Sequence, residues 1–197
     1  MLFEAVVLAL ITGIIFKGRP ANLKTFEIKH AWLIFGGLIV RYVPKLLELK
    51  FMGFIPVEIE EIAPLFFAVS YMMLIAGCAF NLDQWEMIFV LSGVVLNFAV
   101  VIANGGYMPV SREILEASGY PLNELKNARI DMNHILTGDD TRLRFLADNI
   151  PLTRLYPMKK IISLGDILMS AGVFMLIFRR LRGRSSHLRN INNEEGA

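Results

Sequence analysis

The chain has 197 residues, 55% of them hydrophobic, against roughly 45–50% in ordinary soluble domains. The net charge of +2 is small, and no stretch combines the Lys/Arg density and aromatic interleaving of a nucleic-acid surface, so no nucleic-acid partner is expected. The one cysteine, Cys78, excludes a disulfide framework and, lying in an apolar run, reads as a small packing residue.

Charge is nearly absent from several long stretches and dense between them. This distribution predicts an all-α, polytopic membrane protein with about five transmembrane helices. Leu2 to Phe16 is interrupted only by Glu4 and Thr12 and ends at Lys17-Gly18-Arg19-Pro20. It has no basic n-region and no small-x-small cleavage site, so it reads as a retained, rather short span and not as a signal peptide. Ala31 to Leu49 is the second span and contains Arg41, Pro44, Lys45 and Glu48. Ile62 to Phe80 is uncharged, and Met87 to Ala103 has only Ser92 and Asn97 as polar side chains. Ile161 to Phe178 contains Ser163, Asp166 and Ser170. Each is near the ~17–25 residues of a spanning helix. No period-2 alternation appears, which favours helices over barrel strands.

The link between the first two spans carries Lys17, Arg19, Lys24 and Lys29. The tail carries Arg179, Arg180, Arg182, Arg184 and Arg189. An odd number of spans puts both clusters on one side, which the positive-inside rule makes cytoplasmic. The N-terminus is then expected outside and the C-terminus inside a bacterial-type cytoplasmic membrane. The link around Glu58, Glu60 and Glu61 falls outside and Asn81 to Glu86 inside. Residues 104–160 become an extracytoplasmic loop. Apolar residues recur through it from Ile114 to Ile150, and turn signals such as Thr137-Gly138-Asp139 punctuate it. They predict a cap of two or three short helices folded onto the span ends. Residues 1–184 are expected as one membrane domain and 185–197 as a mobile cytoplasmic tail.

Three constellations are candidates for chemistry. Asp166 is expected about 8 Å below the outer boundary of its span, where an ionisable residue is a functional candidate. Arg41 and Lys45, one turn apart on one helix face, are its possible structural ion partners. Asn104-Gly105-Gly106-Tyr107-Met108-Pro109-Val110 reads either as a glycine helix cap closed by proline or as backbone left open for a polar headgroup. Asn133, His134, Asp139, Asp140, Thr141, Arg144 and Asp148 form a polar cluster in the outer loop. There Asp140 or Thr141 reads as the N-cap of a short helix running to Asp148, which makes Arg144 and Asp148 an i,i+4 pair. The cluster lacks metal-ligand spacing, and His30 and His187 fall on the other side, so no metal, haem or other cofactor is expected. Ser163 shares a helix face with Asp166, but no His or Lys completes a nucleophilic triad.

The order Asn104-Gly-Gly-x-Met-Pro-Val, Asn133-His134, Thr141 to Pro151 (TRLRFLADNIP) and Ser163-Leu-Gly-Asp-Ile-Leu resembles domain-of-unknown-function family 5317, small bacterial multi-pass proteins. The resemblance covers most of the chain. It implies a membrane location and no activity. Asp148, together with Asp166 behind Gly165 at the head of the last span, is also similar to the aspartyl signal peptidases that process lipoproteins. Phe145 and Leu164 stand where those enzymes place asparagine.

Three readings follow. The first is a non-catalytic subunit of a membrane complex or a lipid- or amphiphile-binding protein, with its site at the extracytoplasmic end and the bilayer, other membrane subunits or a second copy as partners. The second is an intramembrane hydrolase using Asp148 and Asp166, whose carboxyls would share a proton. The third is a small carrier with a polar path along Arg41, Lys45, Asn97 and Asp166. No catalytic assignment is firm, and the balance is against an enzyme.

Overall fold

The computed structural model describes residues 1–51, 59–118, 133–152 and 160–183, apart from the side chains of residues 25, 48–51, 59 and 60. Expectations for the tail at 185–197, for Arg184, His187 and Arg189, for Glu58 and for the side chains of Glu48 and Glu60 lie outside the described residues. The protein is mostly helical. The long helices are α1 (Leu2–Ile15), α2 (Ala31–Phe51), α3 (Ile59–Ala79), α4 (Glu86–Ala103) and α6 (Leu164–Arg182); α5 (Arg112–Ala117) is short. Four of the five long ones match the apolar runs to within a few residues. α6 starts later than its run because Ile161 and Ile162 are in a strand.

The long helices pack in the order α2–α3–α4–α6–α1. Small residues let the backbones approach closely, as expected where apolar surroundings give helices little hydrophobic reason to associate. Gly37 of α2 faces the Ser70 backbone of α3, and Ser70 Oγ donates to the Gly37 carbonyl at 2.7 Å. Gly93 of α4 lies against Gly165 and Met169 of α6, and Gly172 of α6 against Val90. α1 buries Ala5, Ala9 and Gly13, with Gly13 against Leu181 of α6. α1 and α2 do not pack on one another and end the row.

These contacts fix direction. α1, α3 and α6 run one way, α2 and α4 the other. At one end Arg19 N donates to Leu181 O, the Asn81 side chain bridges Lys29 N and O, and Lys29 pairs with Asp83 at 3.2 Å. Lys29, Arg179 and Arg180 all make their contacts at this end. The opposite end carries the cap.

Two helical stretches, Glu61–Ala79 and Glu86–Ala103, are long and apolar enough to cross a membrane. By length and composition alone, the count of five is not supported. α1 is apolar, but its 14 residues rise only about 21 Å. α2 carries Arg41 and Lys45, and the end of α6 carries Arg179, Arg180 and Arg182. The outward faces are nonetheless apolar on every long helix, with Ile11, Phe35, Leu65, Ile88 and Ile167 exposed.

The described part of the cap holds paired strands as well as short helical turns, and residues 119–132 and 153–159, which the expectation of two or three short helices also covered, lie outside the described residues. β1 (Met108–Val110) pairs in parallel with β2 (His134–Leu136), and Val110 bridges to Asp148 on a further segment. β3 (Ile150–Pro151) pairs with β4 (Ile161–Ile162). α5 is the one α-helix among the described cap residues, capped by the Ser111 side chain. The helix expected from Asp140 to Asp148 is a single 3-10 turn, Arg144–Leu146, entered through Leu143 at φ +52°. A left-handed leucine cannot continue a right-handed helix. The core joins cap to bundle through Tyr71, Leu74, Val94, Val101, Met108 and Leu146.

Candidate functional site: a polar cavity under the cap

The site begins at the α4–α6 contact. Gly165 brings α6 so close to α4 that a Cβ there would lie 2.1 Å from Asn97 Oδ1. Asn97 is therefore pressed onto the first turn of α6. Its Nδ2 donates to Asp166 Oδ1 at 3.1 Å, and its Oδ1 accepts from Ser163 Oγ at 2.9 Å. Ser163 Oγ also accepts from Asp166 N at 3.0 Å, and Asp166 Oδ2 accepts from Ser163 N at 3.2 Å. The pair forms a capping box. Asp166 is thus the third residue of its helix and caps its start; it is not sunk 8 Å into a span. Arg41, one of its expected ion partners, feels its charge but makes no ion-pair contact with it. Its polar partners are Asn97 and Ser163, and Lys45 is exposed.

A second carboxylate comes from the cap. Asp148 is only 6% exposed. Its amide donates to Pro109 O at 3.1 Å, and its Oδ2 faces His134 Nε2 at 3.3 Å. Its Oδ1 is buried with no hydrogen-bond partner. Burial pushes the Asp148 carboxyl above the usual carboxylate range; His134 opposes that shift, Asp166 adds to it and Arg41 pulls against it. The expected Arg144–Asp148 pair is absent, because Arg144 donates to Gly138 O instead.

Arg41 enters from α2. Its guanidinium donates to Tyr71 OH at 3.1 Å and lies 5.4 Å from that ring and 6.0 Å from Phe67, a cation–π arrangement. Lys160, just before β4, pairs with Glu4 of α1 at 2.7 Å. Together these groups rim a half-open cavity of about 790 Å³. Leu38, Leu74, Val110, Leu115, Ile162 and Met169 supply much of its apolar wall.

Of the residues singled out in the sequence, Arg41, Asn97, Met108, Asn133, His134, Asp148 and Asp166 line this one cavity. Ser163 is fully buried beside it and acts through Asn97. The glycine turn is structural. Asn104 bonds both Arg142 N and O, Gly105 and Gly106 have φ of +69° and +96°, and Gly106 lies against Pro64. Pro109 is buried and lends its carbonyl to Asp148. Asp140 and Arg144 are exposed; Thr141 is half-buried, and its hydroxyl accepts from Gly138 N.

Sequence reasoning missed Tyr71, the Glu4–Lys160 pair and a half-buried ion pair at the other end. There Glu86 is fully buried, and Arg179 Nε approaches its Oε1 at 2.5 Å in an ion pair that lacks hydrogen-bond geometry. Arg180 beside it donates to Gln84 at 3.0 Å. A carboxylate opening an apolar helix and cations closing another were visible signals for that pair. Nothing local marked Tyr71.

The class defined here is a helical bundle with a ligand-sized, mixed polar and apolar cavity at its capped end. The chain belongs to the family of unknown function DUF5317, whose model matches residues 25–178. That span includes Arg41, Asn97, His134, Asp148 and Asp166, and leaves out Glu4. An uncharacterised protein of Thermotoga maritima is 28% identical over 182 residues, covering 92% of this chain and 93% of that protein. No solved structure matches.

Proposed function

We propose that this chain is an integral, non-catalytic protein of a bacterial cytoplasmic membrane, embedded through all five long helices, that holds a lipid-like amphiphile in the cavity under the cap. The cavity carries the reading: its volume lies within the range of about 300–1,000 Å³ typical of ligand sites, and its walls are apolar with a few converging polar groups. Membrane embedding is supported by the alternating helix directions, the apolar outward faces and the Lys29, Arg179 and Arg180 contacts at one end. The positive-inside rule then assigns the cap to the outside. The short α1 and the polar ends of α2 and α6 fit a bundle whose charged ends reach the interfaces.

The hydrolase alternative rests on Asp148 and Asp166 lining one cavity. Against it, both Asp166 oxygens are occupied by Asn97 and Ser163, the arrangement of a cap and not of a free base. The carrier alternative loses Lys45, which faces away from the cavity lining.

The test is gentle extraction from membranes followed by native mass spectrometry and lipid identification. A co-purifying amphiphile is expected. It should be lost in Leu38→Trp, which fills the cavity from α2, while the melting temperature is kept. A bare protein at every detergent concentration that preserves the fold would overturn the proposal. Reporter fusions to the cap and to the α6 end test the orientation separately.

A further inference from the structure

Two charged groups of the cavity have incomplete bonding, and they are of opposite sign; the neutral Ser118 hydroxyl on the same wall is also buried without a partner. Arg41 has five N–H donors; among the described residues it spends one on a neutral phenol and has no carboxylate in ion-pair contact. Asp148 has one oxygen on His134, while the other is buried without a donor. The remaining charges have ionic or hydrogen-bonding partners, with the Met1 ammonium also on Glu4 at 2.7 Å. Glu4 holds Lys160, and Asp166 is held by Asn97 and the Ser163 amide. Arg41 and Asp148 are near enough to feel each other's charge, yet they do not touch. A guanidinium demands an anion or another acceptor and favours planar oxyanions. A buried carboxylate oxygen demands a donor.

We infer that the occupant is a zwitterionic amphiphile, its oxyanion on Arg41 and its ammonium on Asp148, as in an amine-bearing phospholipid. This rests on the amphiphile-binding reading above. The geometry also gives the chains a way out. α1 and α2 close the two ends of the helix row without packing on each other, and Leu2, Phe3, Leu38 and Tyr42 line the cavity on those sides. A headgroup between Arg41 and Asp148 therefore leaves its acyl chains at the half-open side of the cavity flanked by Leu2 and Phe3 of α1 and Leu38 and Tyr42 of α2.

The experiment reconstitutes the full chain into bilayers of equimolar phosphatidylethanolamine and phosphatidylglycerol and reads the retained lipid by native mass spectrometry. Wild type is expected to enrich the ethanolamine lipid by roughly tenfold, equivalent to about 1.4 kcal/mol. Asp148→Asn should bring the ratio near parity while lipid stays bound, and Arg41→Gln should release both lipids. A competition arm with glycerophosphoethanolamine separates lipid from free headgroup. Displacement only at large excess supports a lipid occupant, whereas displacement at stoichiometric amounts would overturn it in favour of a soluble zwitterion. Preference for the glycerol lipid, or an unchanged ratio in a folded Asp148→Asn, would overturn the inference while leaving amphiphile binding intact. Absence of any retained lipid would instead sink the amphiphile reading itself. Thermal exposure of Cys78 checks that each variant is folded.

Discussion

Replacing Gly165 by alanine puts a methyl group into the α4–α6 seam. The new Cβ would lie 2.1 Å from Asn97 Oδ1 and 2.7 Å from the Gly93 carbonyl oxygen. Asn97 can rotate away, but only by giving up its bonds to Asp166 and Ser163; the Gly93 carbonyl is backbone and moves only with its helix. Overpacking of this kind destabilises by about 1–3 kcal/mol, and two lost interhelical hydrogen bonds add about 1 kcal/mol in the membrane bundle proposed above. Alanine returns about 1 kcal/mol through helix propensity. The net is a loss of about 1–3 kcal/mol, or about 2–12 °C at 2–4 °C per kcal/mol for a chain of this size. The buried Cys78, the chain's one cysteine, supplies the assay, since a thiol-reactive fluorophore reports its exposure on heating. Gly138→Ala, where a Cβ meets nothing within 4 Å, is the control, expected within about 0.5 kcal/mol of wild type. If Gly165→Ala melts with the control, the seam is not closed as described.

Arg179→Ala leaves the fully buried Glu86 carboxylate without its cation and should destabilise by about 3–5 kcal/mol. Glu86→Gln leaves only the half-exposed Arg179 and should be milder; equal losses in denaturant titrations would contradict the pairing. Asp148 has a folded-state pKa raised above its unfolded one, so its contribution to stability is full below about pH 4 and is lost as the pH rises through the folded value. Asp148→Asn should therefore gain on wild type in melting temperature as pH increases, and a shrinking difference would reverse the sign of the argument. Asn104→Ala removes the bonds to both backbone groups of Arg142, so hydrogen exchange at the Arg142 amide should quicken with little change in global melting.

Much of the bundle was written plainly. Uncharged runs such as Ile62 to Phe80 have only one way to satisfy backbone groups away from water, and they are helices. The capping box was also present as Ser163-x-x-Asp166. It was obscured because Ile161 and Ile162, apolar like the helix after them, pulled the expected start upstream and made a capping carboxylate look deeply buried. The cap was least legible. Met108–Val110 and His134–Leu136 are too short to show a period, and their pairing joins segments far apart in sequence. Arg41 was recognisable as a charge inside an apolar run, but its partner was not, since a tyrosine in an apolar run looks like packing.

The two ends of the helix row have a consequence for synthesis. α1 is made well before its packing partner α6, since Ala5, Ala9 and Gly13 are buried on the face that packs against α6 and not against the neighbouring α2. At a translation rate of about 5–20 residues per second, α1 waits roughly 10–30 s before its partner leaves the ribosome. Throughout that interval its small-residue stripe is open to any other helix it meets. The emergence of α6 therefore both completes the described row of helices and ends the vulnerability of α1.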